Sequence, residues 1–325
     1  MIEFLIRRIF WAVFLFFAAT MITYVIFYVI PANPALLAAG KGASDPRIVA
    51  NIAHQMGLDQ PLWKQYVYFV WNMIRHGNLG TSYQEQLPIR PMITAAAPVT
   101  ASLVLGGAVF WLAVSFPIGV FSALHPRSLF DRGAMFFVLI GISAHPVWIG
   151  LILVYVFSIK LGWFPIGNYC HPLAHEGPAV LCGGPGQWAY HMVLPWVTFM
   201  LLFAALYVRL IRATVMETLS EDYVRTARAK GAPERRVLVQ HVLRNSLIPV
   251  VTILGMDIGL ALGGAVFTET IFNLPGIGQE LITGAQAYDL PVVVGITVYI
   301  CIVVIFFNLV VEILYGVIDP RVRLT

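Results

Sequence analysis

The chain has 325 residues, of which 59% are hydrophobic and only 11% are charged, and its formal net charge is +4. Soluble domains have about 45–50% apolar and about 25% charged residues, so this chain has too few polar side chains to cover a water-facing surface. Its mean hydropathy of +0.81 therefore indicates an integral membrane protein and excludes soluble globular, disordered and collagen-like classes.

Six apolar runs are long enough to cross the hydrocarbon of a membrane, which takes roughly 20 helical residues. Because lipid cannot satisfy free backbone groups, each run should be helical, and the alternating pattern of a membrane barrel is not found. The predicted fold class is therefore all-α, with six transmembrane helices. In chain order the predicted spans are residues 9–30, 98–124, 133–159, about 188–208, about 247–267 and 290–311.

The distribution of Lys and Arg predicts that both termini are cytoplasmic. Eight basic residues lie between the fourth and fifth spans, whereas the loops assigned to the outer side hold five in 31–97, one in 160–187 and none in 273–289. The apolar run after Arg7 and Arg8 is longer than the apolar part of a signal peptide, so it is predicted to be an uncleaved first span.

The long outer segment 31–97 carries two helix-start signals of its own. Asp45-Pro46 and Gln60-Pro61 each place a proline where a helix begins. Two interpretations stay open for this segment, a cap over the first span and a docking surface for an external partner.

The outer loop 160–187 contains Cys170, His171, His175 and Cys182. A disulfide between the two cysteines would close a loop of about a dozen residues and contribute roughly 2–4 kcal/mol. A transition-metal site is the alternative, but the spacing fits no standard zinc motif and the outer side favours oxidation. The sequence therefore favours the disulfide. The third cysteine, Cys301, lies in the sixth span, where we expect it to pack.

The cytoplasmic loop between the fourth and fifth spans predicts two short helices around a glycine turn. Ser220 is the expected N-cap of the first, and Gly231 fits the left-handed position after its last turn. Pro233 is expected in the first turn of the second helix. The apolar side of that second helix should hold Leu238, Val239, Val242 and Leu243.

Two functions are compatible with this basic loop. It could only fix the topology and touch anionic lipid, or it could dock into another protein. Two capped helices with the small residues Ala227, Ala229 and Gly231 near the turn favour docking.

This segment resembles the EAA loop of ABC-type importer permeases, and in particular its peptide/nickel branch. Ala227, Gly231, Leu243 and their spacing match the second alanine, the glycine and the leucine of the pattern. The positions that depart from its Glu, its first Ala, its Ile and its Pro are Arg225, Thr226, His241 and Arg244. Further similar stretches are residues 7–9, 222–231, 241–249, 264–278 and 319–323.

The resemblance implies a type I ABC importer permease with a MetI-like fold, in the inner (plasma) membrane of a bacterium or archaeon. Such a chain forms half of a transmembrane heterodimer with a second homologous permease subunit. Its other partners would be two ATPase subunits or domains, an extracytoplasmic solute-binding protein and membrane lipid, with no nucleic acid. This chain would bind no cofactor and no metal, since ATP and Mg belong to the partners, and it would not be an enzyme.

By the same resemblance, the loop carries a coupling helix that transmits closure of the ATPases to the pore. The residues expected to contact an ATPase are Tyr223, Thr226, Ala227, Arg228, Ala229, Lys230 and Gly231. The expected organisation is a first span in 1–30, an outer loop in 31–94, a five-helix transport core in 95–316 with the coupling loop at 215–247, and a tail at 317–325.

Inside the membrane, the fifth span combines a glycine stripe with an acid. Gly255, Gly259 and Gly263 recur every four residues, which favours close packing against another helix over lining a pore. Asp257 must face protein or water, as a substrate contact or as half of a structural polar pair. Glu269 should lie near the outer end of the fifth span, a region that the family resemblance places at the outer gate. In the third span, His145-Pro146 predicts a kink rather than a proton relay.

The leading hypothesis is therefore a permease subunit for di- and oligopeptide import. Cargo rests on the resemblance alone, and nickel, an oligosaccharide or another small solute is the alternative. A stand-alone secondary transporter would show repeated halves and several acids at mid-membrane, which the sequence lacks. A scaffold without transport leaves the glycine turn between two helices unexplained.

Overall fold

The computed structural model describes residues 2–26, 34–39, 44–55, 59–171 and 184–318, and these ranges are almost entirely helical. Their only β pairing is one isolated bridge between Thr81 and Pro88, so the predicted all-α class is confirmed. The α-helices are α1 (Ile2–Tyr24), α2 (Pro34–Ala39), α3 (Pro46–Gln55), α4 (Leu62–His76), α5 (Ile89–Leu124), α6 (Leu129–Ser143), α7 (Pro146–Leu153), α8 (Pro185–Leu219), α9 (Asp222–Ala229), α10 (Glu234–Arg236), α11 (Arg244–Leu262), α12 (Val266–Ile271), α13 (Ile277–Gln286) and α14 (Leu290–Ile318), with π-helical segments at Val154–Lys160 and Val237–Leu243.

Five helical stretches within the described residues are long and apolar enough to cross a membrane, and a sixth crossing is present if one bent pair of helices counts as a single span. These crossings follow the order of the six predicted spans. The five stretches are Ile6–Tyr24, Ile89–Leu124, Pro185–Leu219, Glu234–Leu262 and Leu290–Val311, and the bent pair is Leu129–Ser143 with Pro146–Lys160.

The bend in the third span lies at His145-Pro146, where a kink was predicted. The two helical pieces meet at 103°, so the helix is broken rather than kinked. Pro146 stands at the start of α7, and the His145 side chain accepts a hydrogen bond from the backbone N–H of Val147 at 3.3 Å. His145 thus caps the second piece, which supports a structural role for this residue.

Several predicted bounds are wrong because a charged residue ends an apolar run but not a helix. α5 begins at Ile89 and continues through Pro98, and α8 continues through Arg209 and Arg212 to Leu219. Arginine is a good helix former, so helices extend past the hydrocarbon. The fifth span also ends at Leu262, and Phe267 lies in the separate helix α12.

The core is centred on α5 and α8, which approach each other at Gly106 and Gly107, a pair for which no role was predicted. A Cβ on Gly106 would lie 2.2 Å from Trp196 Nε1, and one on Gly107 would lie 2.6 Å from Phe199 Cδ1. The Trp196 indole donates to the Ser102 carbonyl at 2.9 Å. These contacts pack α8 tightly against α5. The fifth span, which contains α11, packs against α8 as well.

The glycine stripe of the fifth span faces α14. A Cβ would lie 2.0 Å from Val311 at Gly255, 2.6 Å from Phe307 at Gly259 and 2.8 Å from Ile300 at Gly263. Only hydrogen fits at these distances, so the stripe sets how closely α11 and α14 pack within this one chain.

The segment 31–97 holds helices where the two proline signals predicted them. α3 begins at Pro46, with the Arg47 N–H donating to Asp45 Oδ1 at 2.8 Å, and α4 follows Pro61. Val70 and Met73 of α4 are buried in one cluster with Val294 and Val298 of α14. α4 therefore packs on the start of the last span.

Candidate functional site

The predicted coupling segment folds as α9, which ends in a Schellman turn. Gly231 has a φ of +79°, and its N–H donates to the Arg228 carbonyl at 2.9 Å, while the Ala232 N–H donates to the Ala227 carbonyl at 3.2 Å. These two bonds satisfy carbonyls that the helix end leaves free. Within the described residues nothing lies within 4 Å of a Cβ built on Gly231. The positive φ, not a lack of space, therefore favours glycine here.

The two predicted helix starts in this loop are each wrong by one residue. Glu221 precedes α9, whereas Ser220 ends α8 and its hydroxyl donates to the Glu217 carbonyl at 2.7 Å. Pro233 likewise precedes α10 instead of standing in its first turn. The reason for the first shift is that α8 extends to Leu219, so Ser220 serves the helix before it.

α9 buries one side and exposes the other. Val224 is fully buried, and Ala227 packs partly against the same cluster as Val237 and Val242. Except for Ala227, the predicted coupling residues are exposed: Tyr223, Thr226, Arg228, Ala229, Lys230 and Gly231. Such a free, mostly polar face is available to a protein partner.

Side chains on both sides of the glycine turn hold α9 to the following helix. Arg228 forms two hydrogen bonds to the Glu234 carboxylate, at 3.2 Å from Nε and 2.5 Å from Nη2. The Tyr223 hydroxyl accepts a hydrogen bond from Asn245 Nδ2 at 2.9 Å. These contacts link α9 to the helix that becomes the fifth span.

The second predicted helix of the loop is not a separate short helix, and its predicted apolar side is partly wrong. α10, the π-helical segment and α11 run on as one 29-residue stretch, Glu234–Leu262. Val237 and Val242, five residues apart, are fully buried, whereas Val239 is 54% exposed. The wider π turn places residues five apart on one face, which displaces the side expected from α-helical spacing.

An ion pair with a buried carboxylate joins α6 to α8, the helix that precedes α9. Arg212 donates to Asp131 from Nε at 2.6 Å and from Nη2 at 2.9 Å. Ser122 also donates to this carboxylate, and the Arg127 backbone N–H does so at 2.8 Å. From sequence, Arg212 is one of the basic residues that set the topology, and Asp131 carries no predicted role. The local signal was Ser128 three residues before it, whose hydroxyl accepts from the Asp131 N–H at 3.1 Å.

Asp257 lies at a cavity of about 280 Å³ between α8, α11 and α12. The Tyr207 hydroxyl donates to Asp257 Oδ2 at 2.8 Å. The walls are mainly apolar, and their aromatic residues are Phe199, Phe203 and Phe267. Both sequence interpretations of Asp257 therefore have a physical basis, since it forms a polar pair and also borders an open space.

Glu269 is fully buried and its carboxylate is occupied by protein groups. Thr100 donates to Oε1 at 2.7 Å, and the N–H groups of Gly278 and Gln279 donate to Oε2 at 2.7 and 3.0 Å. These backbone groups begin α13, whose N-terminus attracts negative charge. The contacts support a role in fixing α12 to α13 rather than direct contact with a solute, and any part in a gate stays a prediction.

The predicted disulfide lies partly outside the described residues. Cys170 is 1% exposed, but Cys182 and His175 fall in the range that the structure does not describe, so the pairing stays a prediction. Cys301, in α14, is a free thiol. Among the described residues, no group of three or more His, Cys, Asp and Glu side chains could hold a metal ion.

Thiol labelling of the unfolded protein tests this pairing. We expect one alkylated cysteine, Cys301, before reduction and three after it, because a disulfide sulfur does not react. The Cys301→Ser variant should give none before reduction and two after. Labelling of Cys170 or Cys182 without reductant would contradict the disulfide.

The comparisons with known proteins cover nearly the whole chain. Residues 115–324 match the family described as binding-protein-dependent transport system inner membrane component, and residues 1–104 match the N-terminal part of such components. The chain is 34% identical over 337 residues to the dipeptide transport system permease protein DppB of Escherichia coli, and 38% identical over 334 residues to the di/tripeptide transport system permease protein DppB of Pseudomonas aeruginosa. Both alignments cover 99% of each chain.

Among solved structures, the MetNI methionine ABC transporter in an inward-facing form has a chain that matches with a TM-score of 0.50. The match is 13% identical and covers 70% of this chain and 96% of that one. At this identity the likeness shows a common fold.

Proposed function

The chain belongs to the family of binding-protein-dependent transport system inner membrane components, and from that premise we propose that it imports di- and oligopeptides as the permease subunit of an ATP-driven ABC importer. It is a multi-pass inner membrane protein, as its family and its apolar helices require. Support for peptide cargo comes from the full-length similarity to two permeases that are named for dipeptide and di/tripeptide transport.

We further propose that α9 is the coupling helix. The observation that carries this proposal is the exposed face of α9, a helix that ends in the Schellman turn at Gly231 and is linked to α10 by the Arg228–Glu234 pair. An element with one packed face and one exposed face suits docking of a moving partner. Because Glu234 begins the helical stretch that ends at Leu262, displacement of α9 would move the fifth span directly.

The partners follow from the type of transport system. A binding-protein-dependent system needs an extracytoplasmic solute-binding protein, and we propose a second permease subunit and two ATPase subunits or domains as the other components. ATP and Mg would bind to those ATPases. The second permease would complete the translocation pathway, of which this chain supplies one half.

Uptake by the reconstituted complex tests the cargo. We expect ATP-dependent accumulation of a labelled dipeptide in proteoliposomes that contain this chain, its copurified partners and the binding protein. An excess of unlabelled dipeptides and tripeptides should abolish the signal, whereas nickel, an oligosaccharide and free methionine should not. Accumulation that only one of those three solutes displaces would contradict peptide cargo and leave the importer assignment intact.

A further inference from the structure

The cavity beside Asp257 has a single carboxylate in an otherwise apolar wall. Phe199 and Phe203 of α8 line it, with ring centroids 5.0 Å apart, together with Leu260, Val266 and Phe267. Leu260 is 68% exposed and Phe267 is 52% exposed, so the cavity opens at this rim. The shape and lining are typical of a pocket that binds a small, mostly apolar ligand with one charged group.

Asp257 points away from the packed interface of its own helix. It is two residues from both Gly255 and Gly259, which places it on nearly the opposite side of α11 from the stripe that contacts α14. The α14 interface therefore does not explain the acid. A carboxylate within a membrane-spanning helix is costly and is usually associated with a pathway or a partner charge.

One oxygen of this carboxylate is held in place and the other is available. Tyr207 is 1% exposed, its ring is 5.8 Å from that of Trp111, and its hydroxyl donates to Oδ2. Trp111 in turn stacks on Phe203 at 4.6 Å, so the donor is fixed by packing. Within the described ranges, Asp257 has no other hydrogen bond and no ion pair, which leaves Oδ1 free for a ligand.

We propose that this cavity transiently binds the positively charged amino terminus of the peptide cargo, with the Asp257 carboxylate as its counter-charge and Tyr207 as the residue that positions that carboxylate. This inference rests on the proposed function of peptide import. An α-amino group is largely protonated at pH 7, and it donates charge-assisted hydrogen bonds to a carboxylate. Neighbouring aromatic faces also attract ammonium groups. The apolar walls would contact the cargo side chains without selecting among them.

The test is photo-crosslinking in the permease–ATPase complex without the binding protein, so that selection by that protein plays no part. The probe is a dipeptide with a diazirine in its second side chain and a free amino terminus, and the same peptide N-acetylated is its control. Adducts are mapped by mass spectrometry. We expect adducts on the lining residues of α8, α11 and α12 with the free peptide, and roughly ten- to hundredfold fewer with the acetylated one, because a charge-assisted hydrogen bond is lost.

The variants separate charge from position. D257N should reduce labelling by the free peptide to that of the acetylated one, and D257E should largely restore it. Y207F keeps the charge and removes the donor, so labelling should fall severalfold with assembly intact. Labelling of D257N at the wild-type level, or adducts of the free peptide that all lie outside this cavity, would overturn the inference and leave the proposed function standing.

Two further outcomes are informative. Failure of D257N to assemble with the second permease, while Y207F and D257E assemble, would show that Asp257 pairs with a cation of that subunit, and this would overturn the inference. Absence of peptide uptake by the wild-type complex would instead remove the proposed function, and the inference with it.

Discussion

Replacement of Gly231 by valine is expected to lower ATP-driven uptake roughly tenfold while membrane insertion stays normal. At φ +79° a left-handed backbone costs an L-residue about 1–2 kcal/mol, and the penalty is largest for a β-branched side chain. About 1.4 kcal/mol corresponds to a tenfold change in an equilibrium. The substitution should therefore unwind the Schellman turn and misplace the face of α9. Uptake by proteoliposomes and the amount of assembled complex are the two measurements.

Matched variants isolate the backbone effect. Gly231→Asn should keep most of the uptake, because asparagine tolerates a positive φ better than other residues with a side chain. Gly133→Val adds the same side chain at an exposed helical glycine that also has open space around its Cβ position, and it should leave uptake unchanged. Normal uptake with Gly231→Val, or an equal loss of uptake with Gly231→Val and Gly231→Asn, would contradict the coupling-helix assignment.

Removal of the Arg212 side chain is expected to destabilise the protein by about 3–5 kcal/mol, because Asp131 would then be a buried charge without its ion partner. Asp131 is 4% exposed, and the donors to its carboxylate that remain within the described residues are the Ser122 hydroxyl and the Arg127 N–H. For Arg212→Ala we expect the melting temperature in detergent, followed by tryptophan fluorescence, to fall by at least about 5 °C.

The control for this prediction lies on the same helix. Arg209 is exposed, so Arg209→Ala should change the melting temperature little. The double variant Asp131→Asn with Arg212→Ala should recover part of the loss, since it removes the unpaired charge. If the melting temperatures of Arg212→Ala and Arg209→Ala differed by less than about 1 °C, the ion pair would contribute nothing measurable to stability.

The fold was predictable from sequence because the membrane imposes a simple rule. Runs of about 20 apolar residues must be helical in lipid, and this rule predicted the five long apolar stretches and the bent pair of helices in their order along the chain. The 103° break at His145-Pro146 was predicted only as a kink, since proline marks where a helix is interrupted but not the angle. The π turn that exposes Val239 left no recognisable pattern.

The parts of the candidate site that depend on residues close together in the sequence were predictable. The Gly231 turn depends on a backbone angle that a short sequence pattern reveals, and the structure has that turn. The Asp131–Arg212 pair joins residues 81 apart, and the Tyr207–Asp257 contact joins residues 50 apart. Such contacts depend on how α8 packs against α6 and α11, and no pattern within one segment encodes that packing.

The most direct test of the central claim is a crosslink from the exposed face of α9. Ala229→Cys introduces a thiol on that face, in a Cys301→Ser background that removes the free thiol of α14. With a short bifunctional reagent, we predict one adduct between residue 229 and a copurified subunit that carries an ATP-binding phosphate loop. Gly133→Cys in the same background should give none. Recovery of the chain without any ATPase, or an adduct pattern that is the same from positions 229 and 133, would contradict the account.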